Sequence, residues 1–300
     1  MRLCSGCLAT VTVLLLGTSL CLIVPGLVSA DWNELEPGLE LAQFQSPQAP
    51  ASGDGVITVL RIDPTLWDMN LFSSNQLGVP SNRSVGQWCH DYGLVAAINA
   101  GMFATDHRTH VGYMRNGDYV NSPDVNKYQS VAAFSPRREG LLPFRIFDLD
   151  EIAIAAINED YTVVIQNLRM IKRPGQNRWE QQDKQWSEAA LGEDKFGRPL
   201  FIFCRSAYSI YDFNQILLSL PLDLECAQHL EGGPEAQFYL RHPKIELDYV
   251  GSFETGFAES DSNHIAWPVP NVIGIVPKSR GHSPEASDSP DAHGESKQDR

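Results

Sequence analysis

The sequence predicts an α+β protein with a single domain, in which a mixed or antiparallel β-sheet carries packed helices. Short runs of β-branched and aromatic residues recur along the chain and outnumber the segments with a helical period. About 270 of the 300 residues follow the N-terminal apolar stretch, which is enough chain for one large hydrophobic core. A sheet with helices packed on it is the simplest architecture for such a mixture of elements.

Strands are predicted where such a run is bounded by turn residues, because β-branched and aromatic side chains favour extended backbone. The predicted strands are Val56–Ile62, Leu94–Asn99, Ser130–Phe134, Phe144–Phe147, Tyr161–Gln166, Leu200–Cys204 and Val272–Val276.

Helical spacing is clearest over Tyr208–Leu220, where Ile210, Phe213 and Leu217 repeat at three- and four-residue steps and share one face. A second helix is predicted to begin at Pro234, because proline is favoured in the first turn of a helix. The sequence therefore predicts fewer helices than strands.

Residues 1–30 have the features of a secretory signal peptide. Arg2 is their only charged residue, an apolar stretch fills most of residues 8–24, and Val28-Ser29-Ala30 offers the small side chains that a signal peptidase reads. We therefore predict cleavage after Ala30, a periplasmic or secreted protein, and no stable membrane insertion of the mature chain. The alternative is an uncleaved membrane anchor, which is less favoured because no basic stop-transfer cluster follows the apolar stretch.

Composition divides the remaining chain into three parts. Residues 31–55 form an N-terminal segment and linker, in which Ser46–Gly55 is rich in proline, glycine and serine. The domain itself spans residues 56–277. Residues 278–300 contain no large apolar side chain, so they cannot bury enough surface to order themselves, and we predict a disordered tail.

Charge and cysteine content exclude several classes of protein. The formal net charge is −14 at pH 7, which argues against a nucleic-acid partner, since such proteins need cationic groups to displace phosphate counterions. Only Cys89, Cys204 and Cys226 follow the signal segment, and an odd number cannot all pair internally. No P-loop and no G-x-S-x-G motif is present, and we predict neither a cofactor nor a metal.

A strand end at Ile98–Phe103 is the first candidate for a ligand contact. Asn99 could orient a ligand hydroxyl, and Gly101 would let the backbone approach the ligand closely. The alternative is a strand-end turn that the asparagine side chain stabilises, which is the commoner use of such a sequence.

The segment Leu230–Glu235 is the second candidate. Glu231 precedes Gly232 and Gly233, whose free N–H groups at a helix start would attract a phosphate or carboxylate, and Glu235 lies in the same substrate-binding segment. The alternative is an ordinary Gly-Gly turn, with Glu235 complementing the helix dipole.

Two further groups of polar residues remain ambiguous. Arg205, at the end of an apolar strand, could bind a phosphate through its planar guanidinium, but a structural ion pair is an equally good interpretation. Asp106, His107 and His110 have a spacing that a metal could use, although their polar surroundings favour a surface loop.

Taken in chain order, several short segments resemble motifs of the phosphodiester glycosidase family, and two of them resemble its bacterial branch. The resemblance covers roughly Val56 to Val276, and its specificity lies in the order and spacing of the motifs. The segments that resemble the family pattern are Ile98–Phe103, Gly112 with Asn116-Gly117, Ala190–Gly192 with Asp194–Gly197, and Leu230–Gly233; those that resemble the bacterial branch are Gln166–Ile171 and Trp186-Ser187.

The resemblance implies hydrolysis of the bond between the anomeric carbon of a sugar and a phosphodiester oxygen. It implies Glu231 as the catalytic carboxylate, Arg205 with the amides of Gly232 and Gly233 as phosphate contacts, and Asn99 as a contact to a sugar hydroxyl. The expected partner is a sugar phosphodiester or an envelope glycan.

This chain departs from the family pattern at three places, which puts activity in doubt more than fold. Glu231 stands where the family has aspartate, Glu188 where it has arginine, and Pro234-Glu235-Ala236 where it has a stretch rich in glycine and serine. One alternative is therefore a non-catalytic module that binds a cell-envelope glycan or glycolipid phosphate. Another is a metal-dependent phosphodiesterase.

Overall fold

The computed structural model describes residues 31–278. The predicted signal peptide, and the predicted tail apart from Lys278, lie outside the described residues. Cleavage after Ala30, export and disorder of the tail therefore stay predictions.

Strands dominate the described residues, and every pairing between neighbouring strands is antiparallel. The strands are β1 Asn33–Glu36, β2 Leu39–Gln45, β3 Val56–Ile62, β4 Trp67–Ser73, β5 Ala96–Asn99, β6 Met114–Asn116, β7 Tyr119–Ser122, β8 Ser130–Pro136, β9 Phe144–Asp148, β10 Tyr161–Lys172, β11 Gln176–Asn177, β12 Trp186–Asp194, β13 Pro199–Tyr208, β14 Leu224–Gly232, β15 Gln237–His242, β16 Ile245–Val250 and β17 Asn271–Pro277.

Helices are few and short. They are α1 Ser74–Leu77, α2 Val85–Tyr92, α3 Ile154–Asp160 and α4 Ile210–Ser219, with one 3₁₀ turn at Gly233–Glu235. In the part of the chain that the structure describes, no helix has both the length and the apolar character that a membrane crossing requires.

The strands form two sheets. The larger has twelve strands, with the order β1-β2-β3-β13-β12-β14-β10-β6-β7; β8 and β11 also pair with β10, and β9 pairs with β8. The smaller has five strands, in the order β16-β15-β5-β17-β4. The antiparallel sheet and its packed helices confirm the predicted class in part, but the protein is predominantly β rather than a balanced α+β fold.

The main core lies between the two sheets, and side-chain alternation along each strand explains it. In β3, Leu60 and Ile62 face this core, while Ile57 and Val59 face outward beneath α4. Ile98 of β5 faces the same core from the smaller sheet. Both faces of the central strands are covered, so successive residues are buried on alternate sides. These strands are therefore nearly continuous apolar runs in the sequence.

Three helices cover the outer faces of the sheets. The predicted helix at Tyr208–Leu220 is confirmed as α4, and its N-cap Ser209 accepts a hydrogen bond from the Asp212 N–H at 3.1 Å. Phe213 and Leu217 of α4 pack on the outer face of the larger sheet. Helix α2 packs on the smaller sheet and α3 on β8 and β10.

The prediction that a helix begins at Pro234 is wrong. The chain makes one 3₁₀ turn at Gly233–Glu235 and re-enters the smaller sheet as β15. Phe238 and Leu240 alternate with outward residues in β15 and fill the core between the sheets, so burial of a strand outweighs the local preference of proline for a helix start. No helix N-terminus is therefore available at the Gly-Gly pair to bind an anion.

The N-terminal segment is also more ordered than a linker. Strands β1 and β2 form a hairpin that pairs with β3 at the edge of the larger sheet, and the irregular part is confined to residues 46–55. Among the described residues, Cys89, Cys204 and Cys226 are all buried free thiols, which resolves the pairing that the sequence left open.

Candidate active site

A glycine turn at the end of β14 organises the candidate site. A Cβ on Gly232 would lie 2.9 Å from Cδ1 of Trp186, and a Cβ on Gly233, whose φ is +60°, would lie 2.6 Å from Oε2 of Glu254. Both distances are shorter than a real Cβ tolerates, so only glycine lets Trp186 and Glu254 close on the turn from two sides. Glu254 itself is held by a β-bridge to Trp186.

Glu231 places its carboxyl group inside the protein, directly before this turn. The residue is 6% exposed, Oε1 accepts the Gly232 N–H at 3.1 Å, and Oε2 has no hydrogen-bond partner among the described residues. Burial raises the pKa of Glu231 well above its usual range, and the neighbouring Glu235, Glu254 and Glu188 raise it further. Glu231 is therefore a buried acid that favours its neutral form.

Two half-buried glutamates share this environment. Burial raises the pKa of Glu235, Glu254 raises it further, and His107 opposes both effects. Burial also raises the pKa of Glu254, but His229 and Lys184 lower it. Burial is the larger effect, so the pKa of Glu254 also lies above its usual range, although not as far above it as that of Glu231.

A buried carboxylate–imidazole pair flanks the turn on the outer side of β14. Glu188 accepts a hydrogen bond from Nδ1 of His229 at 2.6 Å and a second from Nε1 of Trp186 at 2.7 Å. The Trp186 ring stands edge-on to the imidazole, with centroids 5.9 Å apart. Because the Glu188 carboxylate accepts, the Nδ1 atom of His229 carries a proton and Nε2 is the atom left for other partners.

A β-bulge brings these two groups to one turn. Glu231 pairs with Ala189, which faces the core between the sheets, whereas His229 pairs with Ala190, which faces outward. The register shifts between these pairs, so the intervening Leu230 is the extra residue of the bulge. The buried acid and the imidazole therefore approach Gly232 from opposite faces of the same strand.

Asn99 supports the turn instead of projecting into open space. Its Nδ2 donates to the Glu235 carbonyl at 2.9 Å, its Oδ1 accepts the Gln237 N–H at 2.7 Å, and the residue is 1% exposed. Both ends of the amide are thus used by the backbone. The structure places Asn99 where the alternative interpretation put it, as a side chain that stabilises a turn.

Gly101 makes the close approach that its sequence context predicts, but its neighbours are side chains of the protein. Its φ of +148° favours glycine, and an added Cβ would overlap Oδ1 of Asn167 and lie 2.9 Å from Nδ1 of His110. Asn167 in turn donates to the Ala100 carbonyl at 3.0 Å. The absence of a side chain at Gly101 therefore lets the end of β5 pack closely against β10.

The residues suggested for metal binding do not converge. His110 is 2% exposed, and Nε2 lies 2.7 Å from the Gln166 carbonyl, to which it donates. Burial lowers the pKa of His110 to about 4, so the ring is neutral at pH 7. The Asp106 carboxylate instead binds the N–H groups of Arg108 and Thr109, at 2.9 Å each.

The guanidinium of Arg205 binds other groups of the protein. Its guanidinium forms an ion pair with Asp261 at 2.8 Å and donates to the carbonyls of Val250 at 2.7 Å and Asn263 at 2.8 Å. These partners anchor the irregular segment between β16 and β17 on β13. The predicted role of Arg205 as a phosphate contact at the glycine turn is not what this geometry favours, and the alternative, a structural ion pair, is what the structure contains.

Comparison with known proteins identifies the family. The sequence model of the phosphodiester glycosidases matches residues 92–276. This chain belongs to the phosphodiester glycosidase family. The matched range contains the glycine turn, the three glutamates and the Glu188–His229 pair, whereas strands β1 to β4 precede it.

Solved structures share the fold at low sequence identity. The catalytic domain of zebrafish N-acetylglucosamine-1-phosphodiester alpha-N-acetylglucosaminidase, auto-inhibited by its pro-peptide, is 14% identical with a TM-score of 0.54, over 81% of this chain and 85% of that chain. A hypothetical protein from Synechocystis is 13% identical with a TM-score of 0.53, over 83% of this chain and 64% of that chain. No curated protein sequence matches this chain.

Sequence reasoning missed Glu254 and His229. Glu254 lies in an irregular segment about twenty residues after the glycine turn, and no local pattern marks it. His229 had a detectable signal, since it stands two residues before Glu231 on the same strand. At the family's arginine position, this member has Glu188 paired with that histidine.

Replacing Asn99 with alanine is expected to lower the free energy of unfolding by about 2 to 4 kcal/mol, because the Glu235 carbonyl and the Gln237 N–H lose their partners. Chemical denaturation measures this loss. Asn33→Ala, which alters an exposed asparagine of β1, is the matched control and should cost less than about 0.5 kcal/mol. If the two variants were equally stable, Asn99 would not stabilise the turn, and its predicted role as a ligand contact would be favoured instead.

Glu231→Gln is expected to stabilise the protein at neutral and alkaline pH and to lose this advantage near pH 4. The folded pKa of Glu231 is raised, so its contribution to stability is complete below the unfolded pKa, about 4.3, and is lost as the pH rises through the folded pKa. Glutamine keeps the neutral state at every pH. Melting temperatures of both proteins between pH 4 and pH 9 measure the difference.

The matched control for this titration is Glu139→Gln, since Glu139 is exposed. A melting-temperature difference between Glu231→Gln and the parent that is independent of pH would show that Glu231 titrates normally in the folded protein.

Proposed function

We propose that this protein is an exported hydrolase that cleaves the bond between the anomeric carbon of a sugar and a phosphodiester oxygen. The observation that carries the proposal is the buried carboxyl group of Glu231, beside the second carboxyl of Glu254, at the glycine turn of a phosphodiester glycosidase family member. Two carboxyl groups in one site are the usual machinery of glycoside hydrolysis.

The environments of the two carboxyl groups assign their roles in this proposal. Glu231 is the more deeply buried and favours the protonated form, which suits a general acid. His229 and Lys184 lower the pKa of Glu254 against the larger effect of burial, so Glu254 loses its proton more readily than Glu231 and suits a base or nucleophile. Glu235 keeps the proton on Glu231 by adding negative charge nearby.

The charge of the substrate gives the neutral acid a second purpose. A phosphodiester is anionic, so three ionised glutamates around the glycine turn would repel it. A protonated Glu231 removes one of these charges and can donate a hydrogen bond to the bridging oxygen. Since the phosphate leaving group is itself a stable anion, full proton transfer is less necessary than for an alcohol, and charge stabilisation carries more of the work.

The Glu188–His229 pair offers a donor for the phosphate. The resemblance implies an arginine at residue 188, and Arg205 is bound elsewhere, so the cationic contact must come from another group. Nδ1 of His229 is held by Glu188, and Cε1 of the same ring would lie 3.5 Å from a Cβ added at Gly232, so the imidazole borders the glycine turn and its Nε2 is left for another partner. In its protonated form that atom donates to an anionic oxygen.

A non-catalytic glycan- or glycolipid-phosphate-binding module is the second candidate. The observation that favours it is the absence of an arginine from the Glu188 position together with the commitment of Arg205 to Asp261. A metal-dependent phosphodiesterase is third. Residues 31–278 contain no group of three or more histidine, cysteine or acidic side chains arranged to hold a metal.

The decisive assay incubates the chain from Asp31 with N-acetylglucosamine linked through phosphate to a reporter alcohol. The proposal predicts free sugar and a released phosphomonoester, with no effect of a chelator. Glu231→Gln and Glu254→Gln should each lower kcat/KM by about 10² to 10⁴-fold, the usual contribution of acid–base catalysis. Glu139→Gln should leave the rate unchanged.

Other products would redirect the assignment. Sugar phosphate with free alcohol, lost on chelation, would move the attack to phosphorus and favour the metal-dependent enzyme. Calorimetric binding of the substrate without either product would favour the binding module.

A further inference from the structure

A cleft of about 430 Å³ opens between the two sheets, away from the glycine turn. Its volume lies in the range of small-molecule sites. Strands β2, β3 and β13 of the larger sheet form one wall, and β16, the edge strand of the smaller sheet, forms the other. Its lining residues include Gln43, Thr58, Phe203, Arg205, Tyr249 and Val250.

Polar residues line this cleft at positions where alternation would place core residues. Gln43 of β2 follows the core residue Leu41 at a two-residue step, and Thr58 of β3 precedes Leu60 in the same way. Inward-facing positions of a sheet are normally apolar, and polar side chains there need a specific reason. Both side chains line the cleft instead of filling the core.

An aromatic pair forms one side of the cleft. Tyr249 and Phe203 stack with ring centroids 5.5 Å apart and an interplanar angle of 23°, and Phe238 supports Tyr249 from the core at 6.3 Å. Phe203 is buried and Tyr249 is partly exposed. The Gln43 amide donates to the Tyr249 hydroxyl at 3.0 Å and holds the ring in place. The tyrosine is therefore fixed by its neighbours before a ligand arrives.

The hydrogen-bonding groups of the cleft are an amide, a hydroxyl, the carboxylates of Asp54 and Asp248, and the imidazole of His264. Gln43 contributes an amide and Thr58 a hydroxyl, which lie 3.2 Å apart and share a hydrogen bond. The charge of Arg205 is offset by Asp261. The two carboxylates would repel an anion, and a lipid chain would leave the polar groups of the cleft without hydrogen-bond partners.

We propose that this cleft binds an uncharged saccharide unit, with the C–H face of the sugar ring against Tyr249 and its hydroxyls on Gln43 and Thr58. Sugar hydroxyls both donate and accept hydrogen bonds, which matches the Gln43 amide, the Thr58 hydroxyl and the acceptor oxygens of Asp54 and Asp248. Flat aromatic and planar polar groups are the residue types that orient such a ligand in a pocket.

The wall of the cleft continues into the glycine turn of the candidate active site. Val250 lines the cleft and accepts from Arg205 at 2.7 Å, and the next residue, Gly251, packs so closely that an added Cβ would overlap the Gly233 carbonyl oxygen. The strand that forms one wall of the cleft therefore ends against the glycine turn. Saccharide binding itself does not depend on hydrolysis.

Calorimetry of the protein with four neutral tetrasaccharides (cello-, malto-, manno- and N-acetylchitotetraose) tests the proposal, with tetragalacturonate as the anionic probe. At least one neutral tetrasaccharide is expected to bind. Gln43→Ala should weaken this binding about tenfold, the effect of losing one hydrogen-bonding group. Gln176→Ala, which alters an exposed glutamine of β11, is the matched control and should bind as the parent does.

Tyr249→Leu removes the aromatic ring and should abolish binding, and its melting temperature shows whether the fold survives. If it does not fold, the Gln43 comparison alone decides. The proposal is overturned if no neutral tetrasaccharide binds at about 10 mM, if Gln43→Ala binds like the control, or if tetragalacturonate binds more tightly than the neutral sugars. Glu231→Gln should leave binding in the cleft intact, which separates this proposal from the proposed hydrolysis.

Discussion

The removal of the Glu231 carboxyl group from water is the constraint on which the site depends. A buried carboxyl group without a cation pays a large penalty for ionisation, so it keeps its proton. The fold holds it there through the glycine turn, since Gly232 and Gly233 let Trp186 and Glu254 approach more closely than any other residue would allow. The burial of the Glu231 carboxyl group, and with it the raised pKa, thus depends on close backbone packing at the end of β14.

Different electrostatic environments within one turn then separate the pKa values of Glu231 and Glu254. Burial raises the pKa of both groups; the carboxyl neighbours of Glu231 raise its pKa further, whereas His229 and Lys184 oppose the effect of burial on Glu254. The Glu188–His229 pair also gives this family member a different charge pattern from the arginine that the resemblance implies. Pairs of groups whose environments separate their pKa values are a recurrent basis of acid–base catalysis.

Local patterns were sufficient for most of the fold, and long-range contacts explain the rest. The apolar run of β3 and the helical face of α4 are properties of neighbouring residues, and both predictions are confirmed. The conformation at Pro234 is determined by burial of β15 between the sheets, and the hydrogen-bond partners of Arg205 lie in a segment more than forty residues away. Glu231 was found because its motif is contiguous, whereas Glu254 enters the site only through a bridge to Trp186.

The most direct test of this account is a carbon-13 NMR titration of the glutamate side-chain carboxyl groups, with Glu231→Gln used to assign the Glu231 resonance. The account predicts that this resonance titrates at a clearly higher pH than that of the exposed Glu139, because the carboxyl group is buried among other carboxyl groups. A Glu231 resonance that titrates with Glu139, or below it, would contradict the buried acid on which the site is built.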